Sequence, residues 1–328
     1  MTINRENDMP LCPAANENDY LEKRGALAYI CNFNDTFVSL VEVPAGRKVL
    51  DIPLGFSPYD IDISPDRGYA YVSIPSEAIL LEISTCSNRV LHAIDLNTPS
   101  FSSSKPCGVK VSSDGSLIYV ANNESQNISV VDAKRKQVAT VIPLEDKSSP
   151  VEIDITADGG LAFVTLYDHA RVAVVDLQAN LTIKYINVGK NAFGIAVARK
   201  YPLALTANAD PAGGSVSVIN TSIAEASPNT VAVGIEPKDV VLNHFKDIAY
   251  VSNCTDGTVS VVDIFTHRQL SIIPVGKKPN WLALTADGRF LVVSNEGSNT
   301  ASIIDTALLQ VVATADAGKC PKGIAILS

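Results

Sequence analysis

A β-rich phrase returns seven times along this 328-residue chain and constrains its fold more than any other feature. The copies read AYICN, AYVSI, IYVAN, AFVTL, LTAN, AYVSN and VVSN, and they end at Asn32, Ile74, Asn122, Leu166, Asn208, Asn253 and Asn295. A second β-branched run, such as SVVD, follows each copy. Repetition at a period of about 42 residues is typical of β-propellers and other repeat architectures.

Each repeat contains four short runs with strand character. A proline, replaced by Ala192 in the fifth copy, lies sixteen residues before the end of the phrase and opens a run such as YDIDIS. We name this run strand a, the phrase strand b, the SVVD run strand c, and a run such as HRQLSIIPV strand d. Turn residues such as Ser64-Pro65-Asp66 separate the runs. Four antiparallel strands per repeat predict a propeller blade.

The two ends of the chain predict how the ring closes. The first repeat lacks strand a, whereas the C-terminal CPKGIAILS is a strand a with nothing after it. Counting from Pro321 through Ser328 and on from Arg24 makes Asn32 the sixteenth residue, as in the other repeats. The fold class predicted is therefore all-β, a seven-bladed β-propeller whose C-terminal strand completes the first blade. Residues 24–328 are expected to form this single domain, and residues 1–23 a flexible tail.

The repeat also resembles a known family. The YVSN and SVVD runs, preceded by Pro-x-x-Ile/Val-x-Ile/Leu and a Pro-Asp or Asp-Gly turn, resemble the YVTN-type β-propeller repeat over residues 24–328. Ile74 and Leu166 depart from the family phrase. The resemblance implies the fold, but members of this family include surface-layer proteins, ligand or nucleic-acid binders and domains of redox enzymes, so no activity follows from it.

The composition of the chain bears on its binding partners and on its location in the cell. The net charge of −9 and the pI of about 5.0 disfavour a surface that binds nucleic acid. The first twenty residues contain no apolar leader core, and no apolar run is long enough to span a bilayer, which predicts a soluble, cytoplasmic protein without a membrane partner. The six cysteines lack CxxC spacing and are predicted to be free thiols.

One face of the predicted ring gathers the residues that could carry chemistry. In such a blade the b–c and d–a loops share a face, which we name the loop face. Inserted residues, including those at 98–105 and 210–214, fall there, which favours a binding face. Strand a is innermost, so the residues after its proline surround the channel mouth. Three carboxylates, Asp60, Glu152 and Asp239, alternate around this mouth in blades 2, 4 and 6.

These carboxylates allow two functional interpretations and one structural interpretation. They could act as acid and base on a bound substrate, together with His169, the one histidine that maps to the loop face. They could instead hold a divalent cation such as Ca²⁺, although the sequence assigns no metal ligand set. In the structural interpretation they pair with Lys110, Lys238 and Lys322 or accept hydrogen bonds from the backbone of neighbouring blades.

Aromatic residues near the same mouth predict a small-molecule pocket. Tyr59, Phe193 and Trp281, with Tyr167 on a b–c loop, would supply flat apolar walls. Further candidate ligand-binding residues share this face and are Cys107, Lys238, Asn32, Asn122, Asn253 and Asn295. The asparagines also suit a structural role, because their side chains can tie neighbouring turns together.

The chain contains no nucleophile elbow, phosphate loop, zincin motif or haem-attachment motif. This favours binding of a small molecule or a protein at the loop-rich channel mouth. The alternative is an enzyme with its active site at that mouth, either a metal-assisted lactonase or hydrolase, or a lyase or cyclase that shapes a reactive substrate. The asymmetric distribution of the acids and the loop insertions motivate this alternative.

Overall fold

The repeat folds into seven antiparallel sheets of four strands each, arranged as a seven-bladed β-propeller. The structure is a computed structural model that describes residues 25–99, 104–222 and 229–328. In each blade the strands follow one another in the order a, b, c, d from the channel outward. The predicted fold class and blade count are therefore confirmed.

The strand bounds, from blade 1 to blade 7, follow the repeat closely. The a strands are Pro321–Leu327, Ile61–Ile63, Pro106–Val111, Pro150–Ile155, Ala192–Val197, Pro237–Asn243 and Pro279–Leu284. The b strands are Ala26–Asn32, Tyr69–Ile74, Leu117–Asn122, Leu161–Leu166, Leu203–Asn208, Ile248–Asn253 and Phe290–Asn295. The c strands are Phe37–Val43, Ile79–Ser84, Asn127–Asp132, Arg171–Asp176, Ser215–Asn220, Thr258–Asp263 and Thr300–Asp305. The d strands are Arg47–Pro53, Arg89–Asp95, Gln137–Pro143, Leu181–Asn187, Asn229–Ala232, Arg268–Pro274 and Gln310–Asp316.

Ring closure occurs in the predicted register. The last strand of the chain pairs antiparallel with the first described strand, with Leu327 opposite Leu27 and Ile324 opposite Ile30. This pairing removes the open edge that either strand would otherwise present. The predicted tail, residues 1–23, lies outside the described residues.

The hydrophobic core is divided among the seven blade interfaces. Each of seven apolar clusters draws its side chains from two adjacent blades. Strands b and c are β-branched and apolar on both faces because a neighbouring blade covers each face, whereas strand d lies at the outer rim and buries few of its side chains. Leu270 and Ile272 on one d strand are accordingly exposed. Stability therefore depends on every blade having two neighbours.

A β-bulge follows the proline of strand a. In blade 6, Pro237 lies opposite Asn253 and Val240 lies opposite Val251, so the a strand contains one extra residue over that interval. The same shift occurs in blades 1, 3, 4, 5 and 7. Bulges commonly redirect side chains at the rims of β-barrels and next to active sites. The two residues inside each bulge are those that the sequence places at the channel mouth.

The structure tests the prediction that the cysteines are free thiols. Cys86 is disulfide-bonded, so the expectation that all cysteines are free is wrong for this residue, whereas Cys31, Cys107, Cys254 and Cys320 are free. Pairing depends on which cysteines approach in space, and sequence spacing does not reveal this.

Within the described parts of the chain, no helix has the length and apolar character needed to cross a membrane. The cytoplasmic location stays a prediction.

Candidate functional site

Two of the three mouth carboxylates hydrogen-bond to the backbone of the next blade. Asp60 Oδ2 accepts from the Val109 N–H at 2.9 Å, and Asp239 Oδ2 accepts from the Leu282 N–H at 2.8 Å. Both acids are almost fully buried. These bonds join blade 2 to blade 3 and blade 6 to blade 7, as the structural interpretation predicts.

A deeper pair of acids on the same strands makes equivalent contacts. Asp62 Oδ2 accepts from the Val111 N–H at 3.0 Å, and Asp154 Oδ2 accepts from the Val197 N–H at 2.7 Å. Lys110 Nζ lies 3.0 Å from Asp154 Oδ1. The structure thus brings Lys110 to an acid, and it links blade 4 to blade 5 through Asp154.

Glycines alternate with the mouth acids around the ring. At the position that holds an acid in blades 2, 4 and 6, blades 1, 3 and 5 have Gly323, Gly108 and Gly194. A Cβ on Gly194 would lie 2.5 Å from Asp239 Oδ1, and one on Gly108 would lie 2.8 Å from Glu152 Oε1. Each glycine therefore makes room for the acid of the following blade. Strict alternation cannot close over seven blades, and Trp281 occupies the position in blade 7.

Hydroxyl side chains complete the links between the same blades, and the sequence interpretation missed them. In three blades a hydroxyl group on strand b donates a hydrogen bond to a backbone carbonyl oxygen of the next blade. The pairs are Ser73 to Cys107 at 2.7 Å, Thr165 to Phe193 at 2.6 Å and Ser252 to Asn280 at 2.5 Å. The available signal was a Ser or Thr before the last residue of the phrase in every acid-bearing blade, where blades 1, 3 and 5 have Cys31, Ala121 and Ala207.

Burial shifts the acids toward their neutral forms. Desolvation raises the pKa of Asp60 and of Asp239 to about 7, although the backbone N–H groups that they accept from oppose the shift. Burial also raises the pKa of Glu152 well above its usual range, and the charges of Asp60 and Asp239 reinforce the effect. Glu152 keeps some accessible surface, but its Oε2 is buried and has no hydrogen-bond partner within the described structure.

The acids do not form a metal site. Across residues 25–99, 104–222 and 229–328, no three side chains of His, Cys, Asp or Glu converge in a way that could hold a metal ion. The spare carboxylate oxygens of Asp60 and Asp239 are directed at backbone donors of the next blade. The donor set therefore does not fit the Ca²⁺ that the sequence interpretation considered.

The predicted aromatic residues meet one another across the channel mouth. Trp281 contacts Tyr59 with ring centroids 5.3 Å apart and Phe193 with centroids 5.6 Å apart, both edge to face. Tyr167 extends the row beyond Phe193 at 6.1 Å, and Phe33 extends it beyond Tyr59 at 5.7 Å. Edge-to-face packing is a favourable geometry for aromatic pairs. Tyr59 and Trp281 of this row lie close to the buried acids of the channel.

The open space lies to one side of this aromatic row. We name it the mouth cleft, a cavity of about 760 Å³ over blades 6 and 7 that reaches strand a of blade 1. Its lining is Tyr59, Phe193, Glu236, Lys238, Cys254, Thr255, Asp256, Gly257, Val275, Gly276, Lys277, Lys278, Asn280, Glu296, Gly297 and Lys322. Of the residues predicted to bind a ligand, Tyr59, Phe193 and Lys238 thus line the cleft.

Two lysines of the cleft lie on aromatic rings rather than beside the channel acids. Lys238 Nζ is 5.0 Å from the centroid of Phe193 and 2.9 Å from Glu236 Oε1. Lys322 Nζ lies over Phe33 at 4.3 Å and Tyr59 at 4.7 Å. The structural interpretation paired both lysines with the channel acids. The structure differs, because Lys238 pairs with Glu236 and Lys322 lies on the rings of Phe33 and Tyr59.

The candidate asparagines donate hydrogen bonds within the fold, while the buried Oδ1 atoms of Asn122 and Asn253 have no hydrogen-bond partner among the described residues. Asn32 Nδ2 donates to Ser39 Oγ at 3.0 Å, and its Oδ1 accepts from the Gly318 N–H at 2.8 Å. Asn122, Asn253 and Asn295 likewise donate to a hydroxyl on strand c of their own blade. All four are fully buried. These contacts match their structural interpretation.

The remaining candidates lie apart from the cleft. His169, in a 3₁₀ turn at Tyr167–His169, has its Nδ1 2.8 Å from Glu145 Oε1, and Arg171 binds the other oxygen of that carboxylate. Cys107 is buried, and desolvation raises its thiol pKa to about 12, which keeps it protonated. Sequence reasoning gave no binding role to Lys277, Lys278 or Lys322, although each follows a predicted strand d or opens a strand a.

Comparisons with known proteins bear on the fold alone. No protein-family model matches the chain, and no curated protein does, so the YVTN-type resemblance rests on the repeat itself. A solved structure of a functionally unknown protein from Desulfotomaculum acetoxidans is similar with a TM-score of 0.77 and 17% identity, covering 92% of this chain and 98% of that one. Kuenenia stuttgartiensis hydrazine synthase is similar with a TM-score of 0.67 and 19% identity over 76% of each chain.

Proposed function

We propose that this propeller binds a small organic molecule in the mouth cleft. The observation that carries the proposal is a cavity of about 760 Å³ on the loop face in which Tyr59 and Phe193 form a flat apolar wall beside charged side chains. Ligand sites usually combine such a volume with aromatic walls and a few polar groups that fix orientation.

The contrast between the cleft and the channel beneath it supports a binding role. Asp60 and Asp239 of the channel are engaged in links between blades, whereas the cleft has lysine side chains and an exposed residue, Thr255, at its rim. A preformed wall of packed rings limits the conformational entropy lost on binding, because Tyr59 and Phe193 are already held by Trp281. The ligand would lie against these rings.

A cleft-filling variant tests the proposal. A panel of aryl carboxylates and their matching carboxamides would be screened against the full chain by ligand-observed NMR, with dissociation constants measured by titration. In Thr255→Trp the indole would occupy the cleft, and we expect affinity to fall at least about tenfold for every ligand found. Lys190→Trp, another exposed site on the loop face outside the lining, is the matched control and should bind as the wild type does.

Two outcomes contradict the proposal. One is a panel in which no member binds the wild type. The other is binding that survives Thr255→Trp unchanged, because the ligand would then occupy another surface. Thermal melting of both tryptophan variants shows whether they fold as the wild type does.

A further inference from the structure

Lys322 occupies an unusual position at the edge of the mouth cleft. Its ammonium group lies over three rings, with centroids at 4.3 Å for Phe33, 4.7 Å for Tyr59 and 5.9 Å for Trp281. The rings belong to blades 1, 2 and 7. Aromatic faces attract a cation and exclude water from it. They therefore hold a positive charge at a fixed point beside the cleft.

The acids of the cleft have other partners. Glu236 pairs with Lys238, and Glu296 Oε2 accepts from Asn280 Nδ2 at 2.8 Å. Asp256 Oδ2 accepts from the Ile235 N–H at 2.7 Å. These contacts hold the three carboxylates in place, and the charge of Glu296 acts on Lys322 without forming an ion pair.

The lysines of the cleft outnumber its acids, four to three. Among the described residues, no carboxylate comes within ion-pairing distance, 4.0 Å, of Lys277, Lys278 or Lys322. The chain as a whole carries a charge of −9, so this local excess of positive charge runs against the rest of the surface. A cation that is partly withdrawn from water and has no ion pair gains stability when an anion binds beside it.

We propose that the ligand of the mouth cleft is a small organic anion, a carboxylate attached to a flat apolar group, and that Lys322 determines this specificity. This inference rests on the proposed function and names its ligand class. The carboxylate would lie against the Lys322 ammonium, and the flat group against Tyr59 and Phe193, which line the same cavity. Lys277 and Lys278, which line the same cavity, would add a longer-range attraction for the anion.

The same matched panel tests this specificity. Each aryl carboxylate would be compared with its carboxamide, which has the same shape without the charge, in wild type, Lys322→Met, Lys322→Arg and Lys190→Met. A charge-assisted hydrogen bond contributes about 1.5 to 3 kcal/mol, so we expect carboxylates to bind at least about tenfold more tightly than carboxamides. Lys322→Met should bring the two affinities to within about threefold, whereas Lys322→Arg and Lys190→Met should keep the preference.

The results separate this inference from the proposed function. Equal binding of carboxylate and carboxamide to the wild type, or a preference that persists in Lys322→Met, overturns the anion inference and leaves binding in the cleft intact. Failure of every panel member to bind the wild type overturns both. A melting temperature of Lys322→Met close to that of wild type would establish that its changed preference is not a folding defect.

Discussion

At the scale of single residues, the buried carboxyls of the channel serve the fold in their neutral or hydrogen-bonded forms. Asp60 and Asp239 have pKa values raised from 3.8 to about 7 by burial. A carboxyl that holds its proton more tightly in the folded than in the unfolded chain stabilises the fold at low pH. That contribution is fully present below about pH 4 and is lost as the pH rises through about 7.

We therefore expect the free energy of unfolding to change with pH through these residues. Asp239→Asn keeps an oxygen that can accept from the Leu282 N–H but removes the titration. Between pH 5 and pH 8 its stability should fall less steeply than that of wild type, by up to about 1.4 kcal/mol per pH unit. Chemical denaturation at several pH values measures this.

The matched control is a surface carboxyl group whose pKa is lowered rather than raised. Hydrogen bonds from Ser112 and Ser116 lower the pKa of Asp114 to about 2, so it does not titrate in this window. Asp114→Asn should leave the slope between pH 5 and pH 8 unchanged. An Asp239→Asn slope equal to the wild-type slope would show that Asp239 is ionised throughout.

At the scale of strands, the a strands approach one another closely enough to require glycine opposite each acid. A Cβ on Gly194 would meet the Asp239 Oδ1 at 2.5 Å, the Asp239 Cα at 2.6 Å and the Lys238 carbonyl oxygen at 2.8 Å. Two of these atoms are backbone, so the neighbouring strand would have to move. The alternation of glycine and acid is therefore a packing rule of the inner ring.

Gly194→Ala is expected to destabilise the protein by about 1 to 3 kcal/mol through overpacking at the interface of blades 5 and 6. Gly213→Ala is the control, because no atom lies within 4 Å of its ideal Cβ and its φ is not positive. Chemical denaturation of the two variants beside wild type tests the rule. Equal stability of Gly194→Ala and Gly213→Ala would show that the a strands can separate without loss.

At the scale of the whole molecule, every apolar cluster lies between two blades, so an open ring would expose two of these surfaces. The strand Pro321–Leu327 prevents this by pairing with Ala26–Asn32 at the other end of the chain. Removal of one strand therefore affects the interfaces of blade 1 with both blade 2 and blade 7. Closure is a property of the ring rather than of any single blade.

Moving the closing strand tests this directly. A chain with residues 321–328 placed between Lys23 and Arg24 would contain a continuous first blade, and we expect it to melt cooperatively near the wild-type temperature. A chain that ends at Cys320 should lose cooperative melting or aggregate, because its sheet edge and two apolar surfaces are open. Cooperative melting of this truncated chain near the wild-type temperature would mean that closure contributes little.

Much of this architecture could be predicted from the sequence, because the repeat encodes contacts within a blade. Turn residues, β-branched runs and the proline spacing fixed the number of blades, the strand order and the register at Asn32 and Pro321. They also placed Asp60, Glu152 and Asp239 at the inner ring, since the position of a residue within the repeat sets its distance from the axis. These are local properties that recur in each copy.

Only the tertiary structure decided which side chains meet between blades. The hydrogen bonds of Asp60 and Asp239, the row of rings around Trp281 and the place of Lys322 on three rings all join residues far apart in sequence. The periodicity carries no information about these contacts, because they depend on the particular residue at the same position of another blade. The proposed site lies where the repeat is broken, beside Trp281, at the point where the alternation of acid and glycine cannot continue around seven blades.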